Sequence, residues 1–113
     1  MLESSTGGSI VNNASIAGVA GIAGMLSFAA AKHGVVGLTR SAALECATHG
    51  LRVNALVTGN VDTPLYRRLS GVSLDTELDI SALNPSGRAA RPEEIAAFMT
   101  GAAMAIDGGF TAQ

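Results

Sequence analysis

The chain has 113 residues, enough for one modest core and too few for two ordinary domains. With 48% hydrophobic residues, 14% charged residues and a net charge of -2, it is not disordered, and it lacks the basic block that nucleic acid or an anionic membrane surface would attract. Fourteen glycines against 4% aromatic residues predict an interior of Ala, Val, Ile and Leu around close backbone contacts, as in a globular α/β protein.

Ser9-Ile-Val-Asn-Asn-Ala14 is a short β-prone run, and Gly18, Gly21 and Gly24 punctuate the loop that follows. No Asp, Glu, Lys or Arg occurs from Ser4 through Ala31, the one stretch with the look of a membrane span. Asn12, Asn13, Ser15 and Ser27 interrupt it and Gly and Ala fill much of the rest, so no membrane segment is expected. Ser27 is the expected N-cap of a helix over 27–49, whose Val35, Leu38 and Ala42 recur at three- and four-residue intervals. Gly50 suits the left-handed position that ends it, with His49 in the last turn.

Leu51-Arg-Val-Asn-Ala-Leu-Val57 follows as a second strand, which makes a β-loop-α-β unit with a crossover long enough for parallel pairing. Strands in such units are normally buried on both faces. From Thr58 to Arg91 the periodicity is broken by Gly59, Pro64, Gly71, Pro85 and Gly87, with short helices hinted at Pro64–Leu69 and Asp75–Leu83. A segment of this length in so small a chain suggests a lid or binding loop. Pro92, backed by Glu93 and Glu94, starts a further helix through about Met99, and Ala102–Ile106 reads as a last strand before an Asp107-Gly-Gly109 turn.

Several residues read blandly. His33 and His49 have no partners at metal spacing, so no metal is expected, and Cys46 is a small buried or half-buried helix residue. Asp62 reads as a turn former, and Arg67 and Arg68 as a solvated face. A lone cysteine and an N-terminus without a positive region before an apolar core suggest a reducing, cytoplasmic setting.

Taken together, "GGSIVNNASIAG", "FAAAKHGVVGLTRSAALE", "GLRVNALVTGNVDTP", "RPEEIA" and "TGAAMAIDGGF" resemble the C-terminal half of a short-chain dehydrogenase/reductase over nearly the whole chain. The resemblance implies a partial Rossmann-like parallel sheet of about three strands with a long active-site helix, truncated at its N-terminal side, and residues 1–113 as the second half of the domain. In that family a serine ends the strand before the helix, and a Tyr-x-x-x-Lys motif opens the helix thirteen residues later. Position 28 lies thirteen residues after Ser15 and Lys32 four after that, so Ser15 and Lys32 match while Phe28 stands in the tyrosine's place. Residues four apart on a helix share a face, which aims position 28 and Lys32 at one site.

By that resemblance Ser15 polarises a substrate carbonyl, Lys32 holds the ribose of NAD or NADP, and the phenol that transfers the proton is absent. Thr58-Gly59-Asn-Val-Asp-Thr63 matches the family's Pro-Gly-x-x-x-Thr loop, which implies contacts to the nicotinamide from Gly59, Val61 and Thr63, with Thr58 replacing the proline. The Gly-rich phosphate turn belongs to the family's first half and has no match here, and Gly18, Gly21 and Gly24 do not follow its spacing. Met1-Leu2-Glu3 resembles the end of the helix before the serine strand, which implies a truncated reading, and a second gap is suggested between Ala97 and Thr100. The expectation is therefore a carbonyl or alcohol oxidoreductase by descent, weakly active or inactive. The alternative is a non-catalytic module whose 27–49 helix docks on a related full-length subunit. An unpaired apolar sheet edge also predicts self-association.

Overall fold

The computed structural model describes residues 7–77, 79–96 and 104–106. Strand β1 (Gly8–Asn13) leads through a short 3-10 turn at Ile16–Gly18 into helix α1 (Leu26–Cys46). A second 3-10 turn at Ala47–His49 delivers the chain to strand β2 (Leu51–Thr58), then come helices α2 (Pro64–Ser70) and α3 (Pro92–Ala96) and strand β3 (Met104–Ile106). The three strands form one parallel sheet in the order β1-β2-β3. Gly8 pairs with Leu51 and Asn13 with Leu56, so the two longer strands end side by side.

Gly50 makes the reversal before β2, with φ 68° and its N–H donated to the Ala47 carbonyl, in the left-handed conformation expected of it. Leu51, Val53, Ala55 and Val57 alternate along β2 as its buried set. Helix α1 covers that face, where Val36 packs with Ala14 and Ala55. Buried Thr39 accepts a hydrogen bond from the Asn12 amide at 2.9 Å and donates to the Val35 carbonyl at 2.7 Å, which satisfies the polar pair where β1 meets the helix.

Four expectations need correction. Among the described residues burial on both strand faces fails, because α1 covers one face of the sheet. On the other face Val11 of β1 and Arg52 of β2 are exposed. Ser27 is not the N-cap; Met25 occupies that place, after a turn at Gly24 with φ 80°, and Ser27 lies inside the first turn. The Asp75–Leu83 helix does not form among the described residues. There the Ser73 hydroxyl accepts from Asp75 N–H and the Asp79 carboxylate from Ser81 N–H, local turns that compete with helical bonding. The fourth correction concerns Arg67 and belongs to the site. Helix α2 does form, capped by Thr63 and ended by Gly71 at φ 69°. The residues around the Ala97–Thr100 junction, the Asp107-Gly-Gly109 turn and the start at Met1 lie outside the described residues.

Candidate active site

In a parallel sheet every strand ends on the same edge, and side chains on the following loops converge there. Asn13 closes β1 at that edge. Its carbonyl accepts a 3.0 Å hydrogen bond from Lys32 Nζ, and its side-chain oxygen meets the Thr58 hydroxyl at 3.5 Å from the end of β2. Ser15 follows two residues later in extended conformation, and its Oγ accepts from Ala17 N–H at 3.2 Å, capping the 3-10 turn. That turn sits directly on α1: a Cβ built on Gly18 would lie 2.7 Å from the Lys32 carbonyl oxygen. Glycine is required there by a close approach rather than by an unusual φ.

Lys32 Nζ also stands 5.7 Å from the centre of the Phe28 ring, within cation-π range. Phe28 is 43% exposed, so it faces outward rather than filling a core. Gly59 follows the end of β2. Val61 forms a single parallel bridge to Ala90, supported by Asp62 N–H to Ala90 O at 2.8 Å. The Thr63 hydroxyl accepts from Tyr66 N–H at 3.1 Å, so this oxygen caps α2. The structure thus groups Ser15, Lys32, Phe28 and Thr58 around the carboxyl ends of β1 and β2, and ties Val61 and Thr63 into the loop beyond.

That loop is organised by a residue whose role differs from the sequence expectation. Arg67 is no solvated arginine. It makes a bidentate pair with Asp62, at 2.5 and 2.7 Å, and donates to the carbonyls of Ser73 and Thr76 at 2.7 and 2.6 Å. The guanidinium holds the Asp62 carboxyl below its ordinary range, chiefly through these hydrogen bonds, and Asp62 raises Arg67 in return. Asp62 is therefore an ion-pair partner as well as a turn residue. Arg68, its neighbour, is exposed as expected.

Buried Asn84 plays a similar part that nothing in the sequence signalled. It accepts from the Asn60 amide at 3.0 Å and donates to the Arg88 carbonyl at the same distance. At the end of the loop Glu94 pairs with Arg88 at 2.8 Å and accepts the Arg91 N–H at 2.7 Å, which lowers its pKa to about 2. Between the loop and the start of α1 lies a cleft of about 290 Å³ whose apolar wall comes from Ile16, Ile22, Met25, Leu69 and Leu83. Among the described residues no cluster of His, Cys, Asp and Glu could hold a metal ion, and no helix is long and apolar enough to cross a membrane.

Comparison with known proteins gives a consistent set of likenesses. A family model described as enoyl-(acyl carrier protein) reductase matches residues 1–111. The chain is 45% identical over 123 aligned residues to the 2,5-dichloro-2,5-cyclohexadiene-1,4-diol dehydrogenase of Sphingobium indicum, covering 99% of this chain and 49% of the relative. It is 46% identical over 116 residues to the cis-4-hydroxycyclohexanecarboxylate dehydrogenase of Sinomonas cyclohexanicum, covering 93% and 45% respectively. The crystal structure of a short chain dehydrogenase family protein from Francisella tularensis superposes with a TM-score of 0.81 at 35% identity, covering 93% of this chain and 51% of that one. The chain spans about half the length of the curated relatives it matches.

Proposed function

The chain belongs to the short-chain dehydrogenase/reductase family, and on that premise we propose that it carries the substrate-orienting, ribose-holding side of an NAD- or NADP-dependent oxidoreductase acting on a cyclic alcohol or its ketone. The reading rests above all on one observation: Lys32 is anchored to the end of β1 at Asn13, one helical turn from Phe28 and beside the turn that Ser15 caps. The names of the two relatives, both dehydrogenases of six-membered ring alcohols, support the substrate class.

The chain's residues fit the ribose end of a nicotinamide cofactor. An ammonium has three donors, and the bond to Asn13 orients it while using one. The Gly59–Thr63 backbone follows the end of β2 as a loop, where the family's contacts to a nicotinamide would come from. A phosphate cradle is a different matter: the two tightest glycine approaches among the described residues, at Gly7 and Gly18, are filled by the chain's own Gly50 and Lys32 carbonyls. When bound, the cofactor supplies or accepts a hydride at the carbinol carbon.

The chain's own part is polar. Ser15 Oγ accepts from Ala17 N–H, so its hydroxyl proton is available to hold a substrate oxygen. Lys32 places a positive charge beside position 28, which would favour an ionised phenol there. Phe28 has no proton to give, so orientation and electrostatics act without the acid/base partner. Loss of such a partner typically costs about 10²–10⁴-fold in rate. Restoring it by Phe28→Tyr is expected to raise kcat/KM for NAD(P)H-dependent reduction of cyclohexanone by a comparable ~10²–10⁴-fold. Equal rates in the two chains, including none in both, overturn the proposal.

A second reading is favoured by one observation. The buried residues of α1 are Val36 and Thr39, while Leu38 is 63% and Leu44 82% exposed. A helix with large exposed leucines is suited to docking on a second copy or on a related full-length subunit. Sedimentation tests this: Leu38→Glu with Leu44→Glu is expected to convert an associated species to monomer. A chain that is monomeric without the substitutions, and that captures no related subunit, refutes it.

A further inference from the structure

The 290 Å³ cleft has a chemical asymmetry that the oxidoreductase reading does not use. Its apolar rim is conspicuously open: Met25 is 46%, Leu69 78% and Leu83 51% exposed. Exposed apolar side chains gathered around a concavity favour an apolar body that covers them. A cleft of about 290 Å³ lies at the lower end of the ~300–1,000 Å³ range of small-molecule sites, which limits that body to about one ring.

The rest of the lining is polar but uncharged, and comes from Asn60, Tyr66 and Ser70. Tyr66 and Ser70 are four residues apart on α2 and share a face. Each hydroxyl both donates and accepts. The Asn60 amide donates to Asn84 Oδ1 at 3.0 Å, which leaves its own oxygen as the group to present. No Lys, Arg, Asp or Glu is among the described residues lining the cleft. Arg67, adjacent to Tyr66, is committed to Asp62, Ser73 and Thr76. An anion entering here would give up hydration and gain no counter-charge, whereas a hydroxyl would exchange water for a donor-acceptor pair.

We propose that this cleft recognises a neutral six-membered ring bearing a second hydroxyl, and that Tyr66 is the specificity-determining residue that holds this hydroxyl and disfavours ring carboxylates. The inference rests on the cyclic-alcohol reading for the reacting group, and adds the identity of the remote substituent.

Ligand-observed saturation-transfer NMR on the full 113-residue chain tests it at neutral pH, with cyclohexane-1,4-diol, cyclohexanol and 4-hydroxycyclohexanecarboxylate as probes. The diol is expected to bind about three- to tenfold more tightly than cyclohexanol, the worth of one neutral hydrogen bond, and the carboxylate most weakly. Tyr66→Phe is expected to erase the diol's advantage, and Leu69→Arg, at an exposed rim position, to raise carboxylate binding above that of cyclohexanol. A carboxylate that ties or wins on the unsubstituted chain overturns the inference, as does a diol preference that survives Tyr66→Phe, or the absence of binding by any ring. Should Tyr66→Phe lose its thermal transition, Leu69→Arg decides the matter: no gain in carboxylate binding overturns the inference.

The readout needs neither cofactor nor turnover, which separates the two claims. Diol-selective binding by a chain whose Phe28→Tyr form stays inactive sinks the oxidoreductase reading and leaves this one standing. Turnover of ring alcohols by Phe28→Tyr without a diol preference does the reverse.

Discussion

From Gly8 to Thr58 the chain is held by a parallel ladder and by small apolar residues pressed between sheet and helix, with Gly18 set against the Lys32 backbone. From Gly59 to Ala96 it is held mainly by polar side chains reaching backbone carbonyls, through Arg67, Asn84 and the Arg88–Glu94 pair. The first region fixes where Ser15 and Lys32 stand, and the second fixes where Tyr66 and Leu69 stand. Packing is short-ranged and intolerant of volume, whereas a loop held by polar side chains yields locally. Substitutions in the two regions should therefore fail in different ways.

The largest effect is expected where the 3-10 turn presses on α1. Gly18→Ala drives a methyl to 2.7 Å from the Lys32 carbonyl oxygen. By overpacking it should cost about 1–3 kcal/mol, visible as a lower midpoint in urea. An unchanged midpoint would mean that the first region yields as easily as the second. Next, Arg67→Lys keeps the charge and discards the planar fork, so it should free the Ser73–Thr76 turn with little change in the global transition. Hydrogen exchange at the Val72 and Thr76 amides, which bond Arg67 and Ser73 carbonyls, would speed up by about tenfold or more if that local opening is released. A cooperative loss of the whole fold would erase the distinction between the regions.

The smallest effect concerns acid. Glu94 has its pKa lowered from 4.5 to about 2, chiefly by hydrogen bonds from Arg88 and then from the Arg91 N–H. Its folded pKa lies below the unfolded value, so its contribution is present above about pH 4.5 and is lost as pH falls towards 2. Chemical shifts at the start of α3 should follow that titration, and Glu94→Gln should remove it. A midpoint near the ordinary carboxylate value would show that the Arg88 contact is not maintained in solution.

The two regions also differed in how far the sequence exposed them. The strand-helix-strand order and the left-handed Gly50 follow from periodicity and turn chemistry, which local sequence encodes directly, whereas Ser15, Phe28 and Lys32 were legible as a set only through the family resemblance. The helix start was misplaced by a residue or two because the turn at Gly24 and Met25 outweighed the capping preference of Ser27. Alternation along β2 was legible, but which faces are covered depends on what lies against the sheet, and among the described residues the covering element is α1. Arg67 and Asn84 were missed for a related reason. Half of their hydrogen bonds go to backbone carbonyls brought near by a returning loop, and a carbonyl carries no residue-specific signal. The apolar cleft likewise joins residues from Ile16 to Leu83 that no spacing rule connects.

The bond from Lys32 to the Asn13 carbonyl joins atoms nineteen residues apart in the chain. A carbonyl is the same chemical group at every residue, so what the ammonium recognises is a position along β1. Sliding that strand by one residue against β2 would present the lysine with a carbonyl pointing the opposite way. The lysine thus acts as a gauge of strand register: it comes to rest only after the crossover has closed on the correct pairing, and its ammonium resonances would be a late marker of folding.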